Sequence, residues 1–267
     1  MKKGLCKLFM LALAAVVLTC NFAAIGYAGT LRVGSAAYPY GKILDKARPI
    51  LAQQGVQVQF IGYADGDGAQ SCIDLMEGKI DASFMQTESE FREFANEHQL
   101  PLTVGTKVFV EPMGIYSKEF QTIDAAWDGA LIMIPQDGYL GRALWLMQDA
   151  GILTLKSGTY TYCDTDSIAQ MHRQFRIFEN DYSDVKSVYE NCNLSVLTAQ
   201  QAQSIGLNPF TDSLYCEGGA SAFCGCVTVR QGEENNEDLQ KLFNVLNSEE
   251  IGQYIYENFG GAVVPVF

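Results

Sequence analysis

The chain has 267 residues, of which 48% are hydrophobic, with 31 Asp+Glu against 18 Lys+Arg for a net charge of −13. That apolar content supports a large core and excludes a disordered chain. The acid excess makes nucleic acid and anionic lipid poor partners, because affinity for either comes from neutralising phosphates with cations. With only His98 and His172, far apart in sequence, histidine-built zinc catalysis and a histidine triad are disfavoured.

Residues 1–28 carry Lys2, Lys3 and Lys7, no acid, and an apolar run from Leu8 to Leu18. This is the pattern of an export signal, with Gly26-Tyr27-Ala28 as a small-x-small cleavage site before Gly29. The run is too short to span a bilayer. Removing it leaves 239 residues with 15 cations against 31 acids, a net −16. Cys20 is a second candidate for the processed end, as a lipid anchor, although Thr19 before it fits that cleavage poorly. Six cysteines remain, Cys72, Cys163, Cys192, Cys216, Cys224 and Cys226. An even number in an exported chain predicts at least one structural disulfide, with the pairing left open. No C-x-x-C pair occurs, and neither a metal nor a cofactor is expected.

Past Gly29 the pattern alternates. Leu31–Gly34 predicts a strand and Lys42–Gln54 a helix, with Ile43, Ala47, Ile50 and Leu51 on one face. Val56–Ile61 is a second strand, Gln70–Glu77 a helix ending at Gly78, Ile80–Met85 a third strand and Glu88–Glu97 a helix. This rhythm argues a mostly parallel α/β sheet with helices on both faces. Thr103–Tyr116 is one long strand-like stretch broken by Pro112 and Gly114. Ala130–Ile134 is a new buried strand and Gly141–Ala150 an apolar-faced helix. Short strands follow at Phe175–Phe178, Leu194–Leu197 and Val227–Arg230, then helices over Asp238–Leu246 and Glu249–Tyr256. Two α/β lobes, the second inserted into the first, fit this order. Asp65-Gly66-Asp67-Gly68 lacks the remainder of a calcium loop and reads as a turn.

The run Val110-Glu111-Pro112-Met113-Gly114-Ile115-Tyr116-Ser117-Lys118, followed by Ile134-Pro135 and Gly141-Arg142-Ala143-Leu144, resembles the methionine-binding lipoprotein (NlpA-type) family. Gly78-Lys79-Ile80-Asp81-Ala82, Gly206-Leu207 and the terminal Gly261–Pro265 extend the likeness over nearly the whole processed chain. The resemblance implies an α/β fold built as a two-lobed, type II-like periplasmic-binding-protein clamshell, each lobe a mixed sheet flanked by helices. Expected boundaries are 29–120 with 220–267 for the first lobe and 121–219 for the inserted one. Glu111-Pro112 and the region near Gly218-Gly219 are the candidate crossovers. It also implies an extracytoplasmic, non-enzymatic protein, expected as a monomer, that delivers a small amino-acid-like solute to an ABC permease. The pocket departs from the family pattern. Tyr-Phe-Gln-His is replaced by Phe84-Met85-Gln86-Thr87, an Asn-bearing segment by Thr198–Ala202, and a second Asn by Gly225.

Arg142, at a helix start, suits a ligand carboxylate through its fork and the helix N–H groups; the alternative is pairing with Asp137 or another acid. Tyr139, in the turn ahead of it, joins it as a ligand candidate. Gln86 and Thr87 follow the third strand, where α/β ligands sit, and Thr87 with Glu90 also has capping-box spacing. Tyr38 and Tyr40 can wall a ligand, and Gln200 can offer an amide. Trp127 and Trp145 are assigned to packing. Two other functions are alternatives: reuse of the binding fold as an envelope sensor, and a hydrolase. The second lacks a G-x-S-x-G elbow, H-E-x-x-H or P-loop.

Overall fold

The computed structural model describes residues 29–159 and 161–267; the export segment and Cys20 lie outside them. In chain order the elements are β1 (Gly29–Ser35), α1 (Lys42–Gln53), β2 (Val56–Gly62), α2 (Gly68–Met76), β3 (Ala82–Thr87), α3 (Glu88–Glu97), β4 (Leu102–Val110), β5 (Met113–Tyr116), β6 (Leu131–Pro135) and α4 (Leu140–Asp149). There follow β7 (Leu153–Leu155), β8 (Ile168–Met171), β9 (Arg176–Asn180), α5 (Val185–Asn191), β10 (Leu194–Thr198), α6 (Ala199–Ser204), β11 (Ser213–Cys216), β12 (Cys224–Arg230), α7 (Glu237–Leu246), α8 (Glu249–Phe259) and β13 (Val264–Pro265).

Two mixed sheets carry the molecule, ordered β13-β4-β12-β3-β1-β2 and β11-β5-β10-β6-β9. In the first, β1 pairs parallel with β2 and β3, and β12 runs antiparallel to both β3 and β4. In the second, β6 is parallel to β9 and β10, and β5 is antiparallel to β10 and β11. The parallel expectation therefore holds for the βαβ half of each sheet, while β12 and β13 in the first sheet and β5 in the second run the other way.

The long stretch read over Thr103–Tyr116 is two strands in two different sheets. Pro112 has no N–H to continue a ladder, so the chain leaves the first sheet after Val110 and enters the second at Met113. Strand β5, which the expected boundary at 120 assigns to the first lobe, is thus a member of the second sheet. The return runs between Cys216 and Cys224.

Each sheet has its own core. Val33, Leu44, Leu51, Phe84, Phe109, Val227 and Leu242 fill the first, and Ile115, Ile132, Ile134, Leu144, Met147 and Val196 the second. Of the face predicted for α1, Ile43, Ala47 and Leu51 are wholly buried and Ile50 is partly buried against the same core, while Leu44, outside that prediction, is wholly buried too. All six cysteines are free among the described residues, which corrects the expectation of a disulfide. The thiols donate to nearby oxygens instead, two of them to Gln86. Cys72 donates to Gln86 Oε1, Cys226 to the Gln86 carbonyl, Cys192 to the Tyr189 carbonyl and Cys224 to those of Gly218 and Gly219.

Candidate functional site

The site lies where helix starts from the two sheets meet. β3 ends at Thr87, which caps α3: Thr87 Oγ1 accepts from the Glu90 N–H at 3.4 Å, and Glu90 Oε2 accepts from the Thr87 N–H at 2.9 Å. This is a reciprocal capping box, satisfying donors that a helix start otherwise leaves open. Across from it, β6 leads through the turn Asp137–Tyr139 into α4, with Arg142 in the first turn. Gly141 allows this approach, because a Cβ there would collide with the Thr161 carbonyl oxygen.

Thr87, Glu90, Tyr139, Arg142 and Phe223 line one small cavity of about 80 Å³. It shares Ser89, Thr161 and Phe223 with a cavity of about 800 Å³ running between α3 and α4, walled by Glu93, Glu97, Trp145 and Asp149. It shares Glu90 and Tyr162 with a third, of about 410 Å³, beside Gly68 and Gln86. The three form one elongated cleft around α3. Trp145, assigned to packing, is a cleft wall, whereas Trp127 packs edge-on against Phe120 with centroids 4.8 Å apart.

Arg142 is engaged by the protein itself. Nε donates to Glu217 Oε1 at 3.1 Å, and Nη2 donates to Glu217 Oε2 and, at 2.7 Å, to the Glu111 carbonyl. Its guanidinium carbon stands 4.7 Å from the centroid of the Phe223 ring. Glu217 Oε2 also accepts from the Met113 N–H at 2.9 Å. The ion pair is shielded, with side-chain exposures of 13% for Arg142 and 5% for Glu217. The acid on the Arg142 guanidinium is Glu217. The edge carrying Nη1 is not the one Glu217 uses.

Tyr40 packs edge-on against Phe84 and Phe109, with centroids 5.0 and 4.8 Å apart. Burial, and then the Glu90 carboxylate, hold its hydroxyl well above the usual phenol range. Tyr38 is half-exposed, its ring 5.6 Å from that of Phe259, and it feels Glu111 after burial. Glu111 is itself held above the ordinary carboxylate value by desolvation, against the pull of Arg142 and with the push of Glu90. Tyr38, Tyr40, Glu90, Glu111 and Arg142 therefore share one electrostatic neighbourhood. Gln86 stands at the edge of the third cavity. Gln200 is not brought to them: it is exposed on α6, and its neighbour Gln201 supplies the capping box with Thr198.

Sequence reasoning missed Glu93, Asp149, Glu217 and Phe223. Glu217 is 75 positions from its partner, so no local spacing could have announced it.

The NlpA lipoprotein family model matches residues 31–267. The chain belongs to the NlpA lipoprotein family. Within and around that family, the chain is 27% identical to the methionine-binding lipoprotein MetQ of Bacillus subtilis, over 100% of this chain and 99% of that one. A crystal structure of a pheromone cOB1 precursor/lipoprotein of the YaeC family from Enterococcus faecalis is 30% identical, covers 89% of this chain and 100% of its own, and superposes with a TM-score of 0.57. An ABC transporter periplasmic substrate-binding protein from Coxiella burnetii is 26% identical, covers 88% and 99%, and gives a TM-score of 0.60. These NlpA relatives are substrate-binding proteins and lipoproteins of the two-lobed α/β kind. No helix among the described residues is long and apolar enough to cross a membrane.

Proposed function

We propose that this NlpA-family chain is the extracytoplasmic solute-binding component of an ABC importer. It takes a small amino-acid-like solute into the cleft between two lobes and presents it to the membrane permease, without catalysing a reaction. The observation that carries the reading is the meeting of two helix starts, α3 capped by Thr87 and α4 with Arg142, on one cavity. Helix N-termini offer N–H groups and positive dipole ends to an anionic group. The solute's carboxylate is assigned to the Nη1 edge of Arg142, beside Tyr139 and Thr87. Tyr38 and Tyr40 wall the cleft from the first sheet, with Gln86 at its end.

The lobes we propose follow the two sheets, with the crossovers at Glu111-Pro112 and over residues 217–223, and closure turns on those two strands. The deciding experiment is mass spectrometry of the solute released when the purified protein is unfolded. An amino acid, or a derivative or short peptide of one, is the expected finding. A solute without an amino-acid head, or transport by the cognate permease that is unchanged without this protein, would overturn the reading.

A further inference from the structure

The charge of the cleft carries the reading one step further, to the class of solute. Along the walls of the 800 Å³ cavity stand Glu93 and Glu97 on α3 and Asp149 on α4, with Glu90 at the shared end. None of the four forms an ion pair among the described residues. One cation, Arg92, lines the same cavity and is paired with Glu88 at 2.7 Å, and Arg142 nearby is paired with the shielded Glu217. Glu93 Oε2 is cut off from solvent and has no hydrogen-bond partner, a costly state for a carboxylate oxygen. Desolvation and then Glu97 raise the Glu93 carboxyl above its ordinary value, and desolvation and then Glu217 do the same for Asp149. Both shifts come first from desolvation and only then from a neighbouring acid.

We infer that the solute is net cationic: an amino-acid head with a protonated amine on an extended arm, which lies between α3 and α4 against Glu93, Glu97 and Asp149. This rests on the solute-binding reading above. The head sits at the Arg142 end, and the amine supplies the missing counter-charge to the carboxylates. Free basic amino acids and short peptides with a basic side chain share this chemistry.

The test is calorimetric titration of the purified protein, freed of solute, with two matched pairs: lysine against norleucine, and lysyl-alanine against norleucyl-alanine. Each pair differs only in the arm's amine, and the pairs separate a free amino acid from a peptide. In the pair that binds, the lysine member should be tighter by about tenfold or more. That advantage should shrink at high salt and mostly disappear in Glu93→Gln/Asp149→Asn. Norleucine members binding as tightly as their lysine partners would overturn the inference while leaving the amino-acid reading intact. A lysine advantage that survives in the double variant would also overturn it. Binding of none of the four, with a solute of another class released on unfolding, would overturn the amino-acid reading and this inference with it.

Discussion

Arg142 and Glu217 close a two-point grip that joins both crossovers of the chain. The guanidinium on α4 holds the carboxylate of the second crossover and the Glu111 carbonyl of the first, and Glu217 in turn accepts from the Met113 N–H. The pair is thus a structural contact as well as part of the cleft. Arg142→Ala should destabilise the fold by about 3 kcal/mol, because it leaves Glu217 shielded and without its counter-charge. Glu217→Gln, which keeps an acceptor for Met113, should cost less. Urea unfolding measures both, and a wild-type midpoint for Arg142→Ala would show that the grip contributes nothing.

The same residue should matter for solute affinity. Arg142→Lys keeps the charge but loses the planar fork, so it should weaken binding of the identified solute even where the fold survives. For Arg142→Ala the expected loss is about 2–5 kcal/mol. Calorimetry on variants first checked for a native unfolding transition separates the two effects. Undiminished affinity in both would show that Arg142 acts only on the fold.

Methionine should bind weakly or not at all. Phe84 is buried in the first core, Thr87 is committed to its capping box, and Gly225 is covered by the Phe109 ring. Gln200, at the place of a family contact, is turned out to solvent on α6. Each buried polar group left unpaired costs about 1–3 kcal/mol. Titration showing a sub-micromolar Kd for either methionine enantiomer would restore the family ligand.

The six thiols should all be titratable after denaturation and slow to react in the native protein. Burial pushes Cys72, Cys192, Cys216 and Cys224 up to about 11, which leaves little of the reactive thiolate at neutral pH. Counting with a chromogenic disulfide reagent, with and without guanidinium, checks this. Fewer than six thiols from residues 29–267 in denaturant would show a bridge.

Acid sensitivity should include a contribution from Asp81. Burial alone would raise this carboxyl. It is overcome by the Arg32 side chain, bonded at 2.6 and 3.0 Å, and by the Arg32 N–H at 2.8 Å, so Asp81 sits below its ordinary value. A lowered carboxyl contributes stability that is present above its unfolded pKa and lost as pH falls through the folded one. Asp81→Asn should therefore cost about 1–2 kcal/mol near neutrality, reduced by solvent screening of the part-exposed Arg32. The difference from wild type should narrow in strong acid. A constant difference from neutral pH down to the acid transition would contradict the assignment.

Much of the scaffold was legible because its signals are local. The apolar spacing on α1 named the face that packs, and Thr87 with Glu90 three positions on named the capping box that starts α3. Helix periodicity and capping act within a turn or two, so a window of a few residues contains them. The two helix starts that frame the site followed from the same signals, and so did Arg142 and Thr87 as its candidates.

Tertiary structure decided what those residues face. Thr103–Tyr116 reads as one strand-like stretch broken at Pro112 and Gly114, yet its halves lie in separate sheets, because which ladder β5 joins depends on β10 and β11 far downstream. Glu217 holds Arg142 because the β11–β5 pairing carries it beside Met113. The cysteines stay unbridged for the same reason: their count spoke for pairing, but the fold brings even Cys72 and Cys226 only to different oxygens of Gln86. The carboxylates of α3 and α4 look in sequence like ordinary solvated helix faces, and become a charged cleft only when the two sheets set those helices opposite each other. Local periodicity determines which elements form; pairing across tens of residues determines which side chains meet.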